Sequence, residues 1–119
     1  MIVLLEDEVL NDLRDALGCG PLAHLLDELP LEILRQRCTM LDAWDRREFD
    51  EVRRAAHSLK GSVGTLGATG LSGLCLRLEQ MAAAGDAQGV QAGLAAIESA
   101  ALAHIAECFG RSAAERQAA

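Results

Sequence analysis

Tyrosine is absent from this 119-residue sequence, and Trp44, Phe49 and Phe109 are its only aromatic residues. A core without aromatics has to be aliphatic. Half of the residues are apolar, enough for one buried core in a chain of single-domain length. Lysine is nearly absent too: ten of the eleven basic residues are Arg, and Lys60 is the single Lys. Against 18 acidic residues they leave a net charge of −7, which argues against a partner such as nucleic acid or an anionic membrane. Long uncharged runs are also missing. The longest, Gly61 to Leu76, falls short of the roughly 20 residues that span a bilayer, and Gly, Ser and Thr interrupt it. Met1 to Glu8 has no basic segment and no small-residue cleavage site, so a soluble cytoplasmic protein without membrane insertion is expected.

Paired cysteine motifs are lacking. Cys19, Cys38, Cys75 and Cys108 stand far apart with no CxxC or zinc-type spacing, and read as reduced thiols, three of them on apolar helical stripes. There is no P-loop, no Gly-rich dinucleotide loop and no GxSxG. A di-iron bundle would need two Glu-x-x-His pairs, and there are none. His104 falls on an apolar stripe and reads as a core-edge residue, and His24 has no evident partner.

What is present is helix. Ala, Leu, Glu, Arg and Gln dominate, and no strand-like alternation persists beyond a few residues. A short helix is expected from about Glu8 to Leu17, and a second from about Leu22 to Trp44. Leu34, Cys38 and Leu41 form the seam of the second, widened by Ile33 and Trp44, and Pro30 should kink or split it. A third opens on Asp45 as N-cap, with Glu48 at capping-box spacing. Its seam is Val52, Ala56, Leu59, Val63 and Leu66. A fourth runs from about Thr69 to Ala84 on Leu71, Leu74, Cys75, Leu78 and Ala82. A fifth runs from about Ala87 to Phe109 on Val90, Leu94, Ile97, Ala101, Ile105 and Cys108. The expected fold is all-α: an antiparallel up-down-up-down four-helix bundle with a short extra N-terminal helix. The chain reads as one domain over 1–119, with its core at about 8–110 and a frayed tail over 111–119.

One helix face carries chemistry. His57 points about 140° away from the seam of the third helix, towards water. Arg53, Lys60, Gly61 and Gly64 lie at −4, +3, +4 and +7 from it, on the same face. Each glycine inside a helix costs about 1 kcal/mol relative to Ala, but clears bulk so that another surface can approach. An exposed imidazole is a competent nucleophile near neutral pH, and cations at Arg53, Arg54 and Lys60 would offset the charge of a phosphoryl group on the ring.

Residues 56–68 read AHSLKGSVGTLGA. This resembles the signature of the histidine-containing phosphotransfer (HPt) domains of bacterial phosphorelays, close to AHxLKGxxxxLGA. Leu71, Leu74-Cys75 and Leu78-Glu79 resemble the family's L-x-x-L-C-x-x-L-E run, and Gly85-Asp86 its break before the last helix. The resemblance implies that His57 is the phosphoacceptor, receiving a phosphoryl group from a receiver-domain aspartate and passing it to a second receiver. It implies Lys60 as the lysine beside the phosphohistidine, Gly61 as the close-approach glycine, and a docking surface that includes Gly64 and Ser58. It also implies no ATP site, no autokinase activity and no cofactor of the chain's own, since the receiver brings Mg²⁺. The implied partners are receiver domains of response regulators or a hybrid sensor kinase, met by a monomer. Two departures stand out: Gly64 replaces a common Ala or Ser, and Leu25-Leu26 replace a Phe near the start of the second helix. The alternative is an HPt-like adaptor that binds receivers or kinases without chemistry.

Overall fold

The structure, a computed structural model, describes residues 4–118. It contains α1 (Asp7–Leu17), α2 (Cys19–Asp45), α3 (Phe49–Thr65), α4 (Thr69–Ala83) and α5 (Ala87–Ala118), and no strand occurs among the described residues. Residues 46–48, 66–68 and 84–86 connect the four longer helices. Connections this short join only neighbours. Accordingly α2 packs on α3 and α5, α4 packs on α3 and α5, and α1 lies against α2. The molecule measures 46 × 24 × 22 Å.

The helical period explains most of the core. On α3, Val52, Ala56, Leu59 and Val63 are buried, and Leu66 follows them in the turn. Leu71, Cys75, Leu78 and Ala82 of α4 meet Val90, Leu94, Ile97, Ala101 and Cys108 of α5 in the same core. α2 departs from expectation. Leu34 is 43% exposed and Cys38 is exposed, while Leu41 and Trp44 are half-buried. Of the expected seam only Ile33 is fully buried, and the buried face is completed by Leu22, Leu26, Leu29, Met40 and Ala43. That stripe runs along almost the whole of α2, so it can line α3 and α5 throughout, whereas Leu34, Cys38 and Leu41 cover little more than two turns.

Pro30 does not split α2, which is continuous and buries Pro30 with the leucines before it. The lost ladder bond is outweighed by burial on both sides of the ring. Asp45 ends α2 rather than capping α3, and Glu48 is the N-cap without a side-chain cap bond. Arg46 occupies that carboxylate: it bridges Glu48, Asp42 and Glu51. Arg47 then turns the chain at φ 56°, its guanidinium 3.8 Å from the Trp44 ring centroid.

Residues 111–118 of the expected frayed tail are helical, and residue 119 lies outside the described residues. α5 continues to Ala118 and buries Ser112 and Glu115. Arg14 of α1 pairs with Glu115 and holds its carboxyl below the usual range. Asp27 of α2 accepts from Ser112 Oγ at 2.5 Å and pairs with Arg116. These partners lie far away in sequence, so composition alone makes the segment look unattached. His104 is buried as expected, its Nδ1–H donating to the Ala100 carbonyl at 2.8 Å and its Nε2 without a partner.

The thiols divide in two. Burial pushes Cys75 up to about 12 and Cys108 up to about 11, whereas Cys19 is half-buried and Cys38 exposed. A thiol-specific reagent at pH 8 is expected to label Cys38 first and Cys19 more slowly. Cys75 and Cys108 should react only on unfolding. Mass spectrometry of the labelled chain checks this, and early modification of Cys75 would contradict it.

Candidate functional site

The residue after Ala56 on α3 sits about 140° from the centre of the buried stripe, which turns His57 outward. Its side chain is 64% exposed. On α4, Glu79 follows buried Leu78 and stands at the edge of that helix's apolar stripe, so its side chain reaches across to α3. One carboxylate then serves two partners. Glu79 Oε1 lies 2.8 Å from His57 Nδ1, and Oε2 lies 2.8 Å from Lys60 Nζ. Lys60, and after it the His57 ring, hold the Glu79 carboxyl below the usual carboxylate range. An ionised carboxylate only accepts, so Nδ1 carries the proton and the neutral ring keeps its lone pair on Nε2.

The arginines are arranged differently from expectation. Arg53 donates to Asp50 Oδ1 from Nε at 3.0 Å and from Nη2 at 2.9 Å, and Arg54 Nη2 lies 2.7 Å from Asp50 Oδ2. Both guanidinium groups therefore point back along α3, and Arg53 foremost holds Asp50 below the usual range. Of the expected cations, only Lys60 shares a partner with His57.

The small residues lie on the surface. Ser58 is exposed, and its carbonyl accepts from Ser62 Oγ at 3.2 Å. A Cβ on Gly61 would meet nothing within 4 Å, so nothing inside the fold requires glycine there. A Cβ on Gly64 would stand 3.6 Å from Ser72 Oγ, an ordinary contact. Beside this patch, Leu25, Leu29 and Leu31 of α2 face Ser62 and Thr65 of α3 and Leu66 of the following turn across a groove of about 560 Å³. Among the described residues, no three or more His, Cys, Asp or Glu side chains gather as a metal-binding group.

Glu79 is the residue that sequence reasoning missed as a participant. Its signal was an acidic residue directly after an apolar seam position, but which helix would lie opposite depends on packing.

The Hpt domain family model matches residues 6–113 of this chain. No curated protein matches it. Among solved structures, the chain is similar to the crystal structure of histidine-containing phosphotransfer protein B (HptB) from Pseudomonas aeruginosa PAO1. The TM-score is 0.84 and the identity 27%, over 100% of this chain and 99% of that one.

Proposed function

The chain belongs to the Hpt domain family, and on that premise we propose that it carries its phosphoryl group on Nε2 of His57, between the aspartates of two receiver domains. It is a phosphorelay intermediate of two-component signalling. The observation that carries the assignment to His57 is the exposed ring whose Nδ1 is held 2.8 Å from Glu79. In the transfer, the Nε2 lone pair attacks the phosphorus of a receiver aspartyl phosphate. The N–P bond forms, the P–O bond to the aspartate breaks, and the carboxylate leaves with the electron pair. The proton stays on Nδ1, and Glu79 balances the cationic ring. Attack by a second receiver's carboxylate runs the same step in reverse.

Lys60 offsets charge on the phosphoryl oxygens, and Arg53 and Arg54 add a more distant positive potential. Ser58, Gly61 and Gly64 leave the surface low enough for a receiver to bring its aspartate, and the Mg²⁺ it binds, up to the ring. The chain uses no ATP and needs no cofactor of its own. The four longer helices form an up-down-up-down bundle in a single domain, with α1 against one end; that rigid frame holds α3 and α4 in fixed register.

The test is incubation with a phosphorylated receiver and Mg²⁺. Acid-labile, alkali-stable phosphate should appear on this chain, and a chain that stays unlabelled while the receiver dephosphorylates overturns the proposal. Glu79 has its own expected effect. A charge-assisted hydrogen bond contributes about 1.5–3 kcal/mol, so Glu79→Ala should slow acceptance roughly 10- to 100-fold. Glu79→Gln, which retains an acceptor oxygen, should slow it less. Because the folded carboxyl is depressed, its contribution is present above the ordinary Glu range and fades as pH falls through the lower folded value. Stopped transfer time courses for both variants measure this, and wild-type rates in both would remove Glu79 from the mechanism.

A further inference from the structure

Two cations that the sequence puts near His57 are held away from it, and their spacing shows how. Asp50, Arg53, Arg54 and His57 all lie outside the buried stripe of α3. Asp50 and His57 are seven residues apart, close to one line along the helix and about 10 Å apart along its axis. Both arginines stand between them. Arg53 is three residues from Asp50 and four from His57, and Arg54 is four from Asp50 and three from His57. Three and four residues are the spacings at which helical side chains meet. Each guanidinium therefore has a carboxylate within reach on one side and the imidazole within reach on the other.

In the unphosphorylated chain Asp50 has both. Its Oδ1 accepts from Arg53 Nε at 3.0 Å and lies 2.9 Å from Arg53 Nη2, and its Oδ2 lies 2.7 Å from Arg54 Nη2. Helical side chains lean toward the N-terminus, which aims both arginines at Asp50 and away from His57. A neutral imidazole also offers a cation no charge. Yet the cluster is open to water. The Asp50 and Arg54 side chains are 58% and 71% exposed, and ion pairs this exposed are weakly held. A phosphoryl group on Nε2 brings up to two negative charges, and oxygens that suit a guanidinium, to the other end of the same two side chains.

We infer that Asp50 is a positioning residue for the relay: its carboxylate competes with a phosphoryl group on His57 for Arg53 and Arg54, and so loosens the chain's hold on the group it carries. The inference rests on His57 as the phosphoacceptor. The two flanks of the ring then differ in kind. Lys60, three residues beyond His57, shares Glu79 with the ring and stays beside it. The two arginines on the other flank reach the phosphoryl oxygens only by leaving Asp50. A carrier that passes its group between two aspartates has to release it as readily as it accepts it. Two unopposed guanidinium groups would favour the phosphohistidine and retard release. Asp50 withholds them, and because the pairs are exposed the exchange of partners costs little.

The test places the phosphoryl group on His57 without a receiver, by potassium phosphoramidate: the Nε2 lone pair attacks its phosphorus and ammonia leaves. A His24→Gln background leaves His57 as the one exposed histidine, since His104 is buried. Phosphorus-31 NMR then reads the ionisation of the phosphoryl group, which nearby cations favour. Asp50→Asn should make the second proton about two- to fivefold more readily lost, the range open to exposed ion pairs, and about 0.5 M salt should shrink the change. Asp50→Glu, which keeps the carboxylate, should match the parent. With Arg53→Gln and Arg54→Gln both in place, Asp50→Asn should have almost no effect. At equilibrium with a receiver, Asp50→Asn should raise the share of phosphate on His57 by a similar factor. Unchanged phosphoryl ionisation in Asp50→Asn overturns the inference, and so does a change of the same size without the two arginines. A receiver that exchanges no phosphate with the chain overturns the relay assignment instead, and the NMR titration still decides the role of Asp50.

Discussion

With His57 replaced by glutamine, the chain is expected to take up no phosphate from a phosphorylated receiver. Gln retains a polar side chain of similar reach on an exposed helical position, so α3 and the core beneath it stay intact. What disappears is the nitrogen lone pair. An amide nitrogen is delocalised into its carbonyl and does not attack phosphorus, so the loss is chemical rather than structural. Removing a nucleophile slows a covalent transfer by at least about 1,000-fold. Transfer to labelled equilibrium, with circular dichroism to confirm the helices, is the measurement. His57→Gln labelled at the wild-type rate would place the phosphate on another residue. Lys60→Ala should remain phosphorylatable at a reduced rate, because Lys60 only offsets charge.

Gly67→Val is the substitution expected to damage the fold most. Gly67 sits in the turn between α3 and α4 at φ 79°, a left-handed conformation that L side chains resist. Its carbonyl accepts from Glu6 N at 3.0 Å, which ties α1 to this turn. A Cβ would stand 3.0 Å from Val9 Cβ and 3.1 Å from Glu6 N. Backbone strain of about 1–2 kcal/mol adds to about 1–3 kcal/mol of overpacking, and Val, branched at Cβ, is at the upper end of both. A domain of this size would unfold more than about 10 °C lower. Gly85 is the control. It has φ 67° but open space around it, so Gly85→Ala should lose only the backbone part, about 1 kcal/mol. Thermal unfolding of the two variants separates the causes, and equal shifts would show that contact with α1 contributes nothing.

Most of the fold was legible because burial on α3, α4 and α5 follows a single stripe. Val52, Ala56, Leu59 and Val63 have no competing apolar face on α3, so the outward direction of His57 followed directly. α2 was misread because it carries two apolar stripes, and local periodicity does not choose between them. The helical tail was misread because Glu115 and Arg116 are held by Arg14 and Asp27, pairs separated by 101 and 89 residues. The helical period puts Arg53 on the face of α3 that carries His57, with Arg54 near it. Their orientation depends on Asp50, and a helical wheel does not choose among rotamers.

By itself, the sequence determined the helices, the core stripes of three of them, and the motif around His57 with Lys60 and Gly61. Those features rest on interactions within a few residues: the 3.6-residue period, the capacity of an imidazole to attack phosphorus, and the emptiness of a glycine. The tertiary structure alone decided that Glu79 of α4 would bind both His57 and Lys60, that α2 would bury Met40 rather than Cys38, and that Glu115 and Arg116 of α5 would pair with Arg14 and Asp27. Each depends on which helix faces of the assembled bundle meet, and at what height along their axes. Distances between side chains on different helices are set by packing, and no local pattern encodes them.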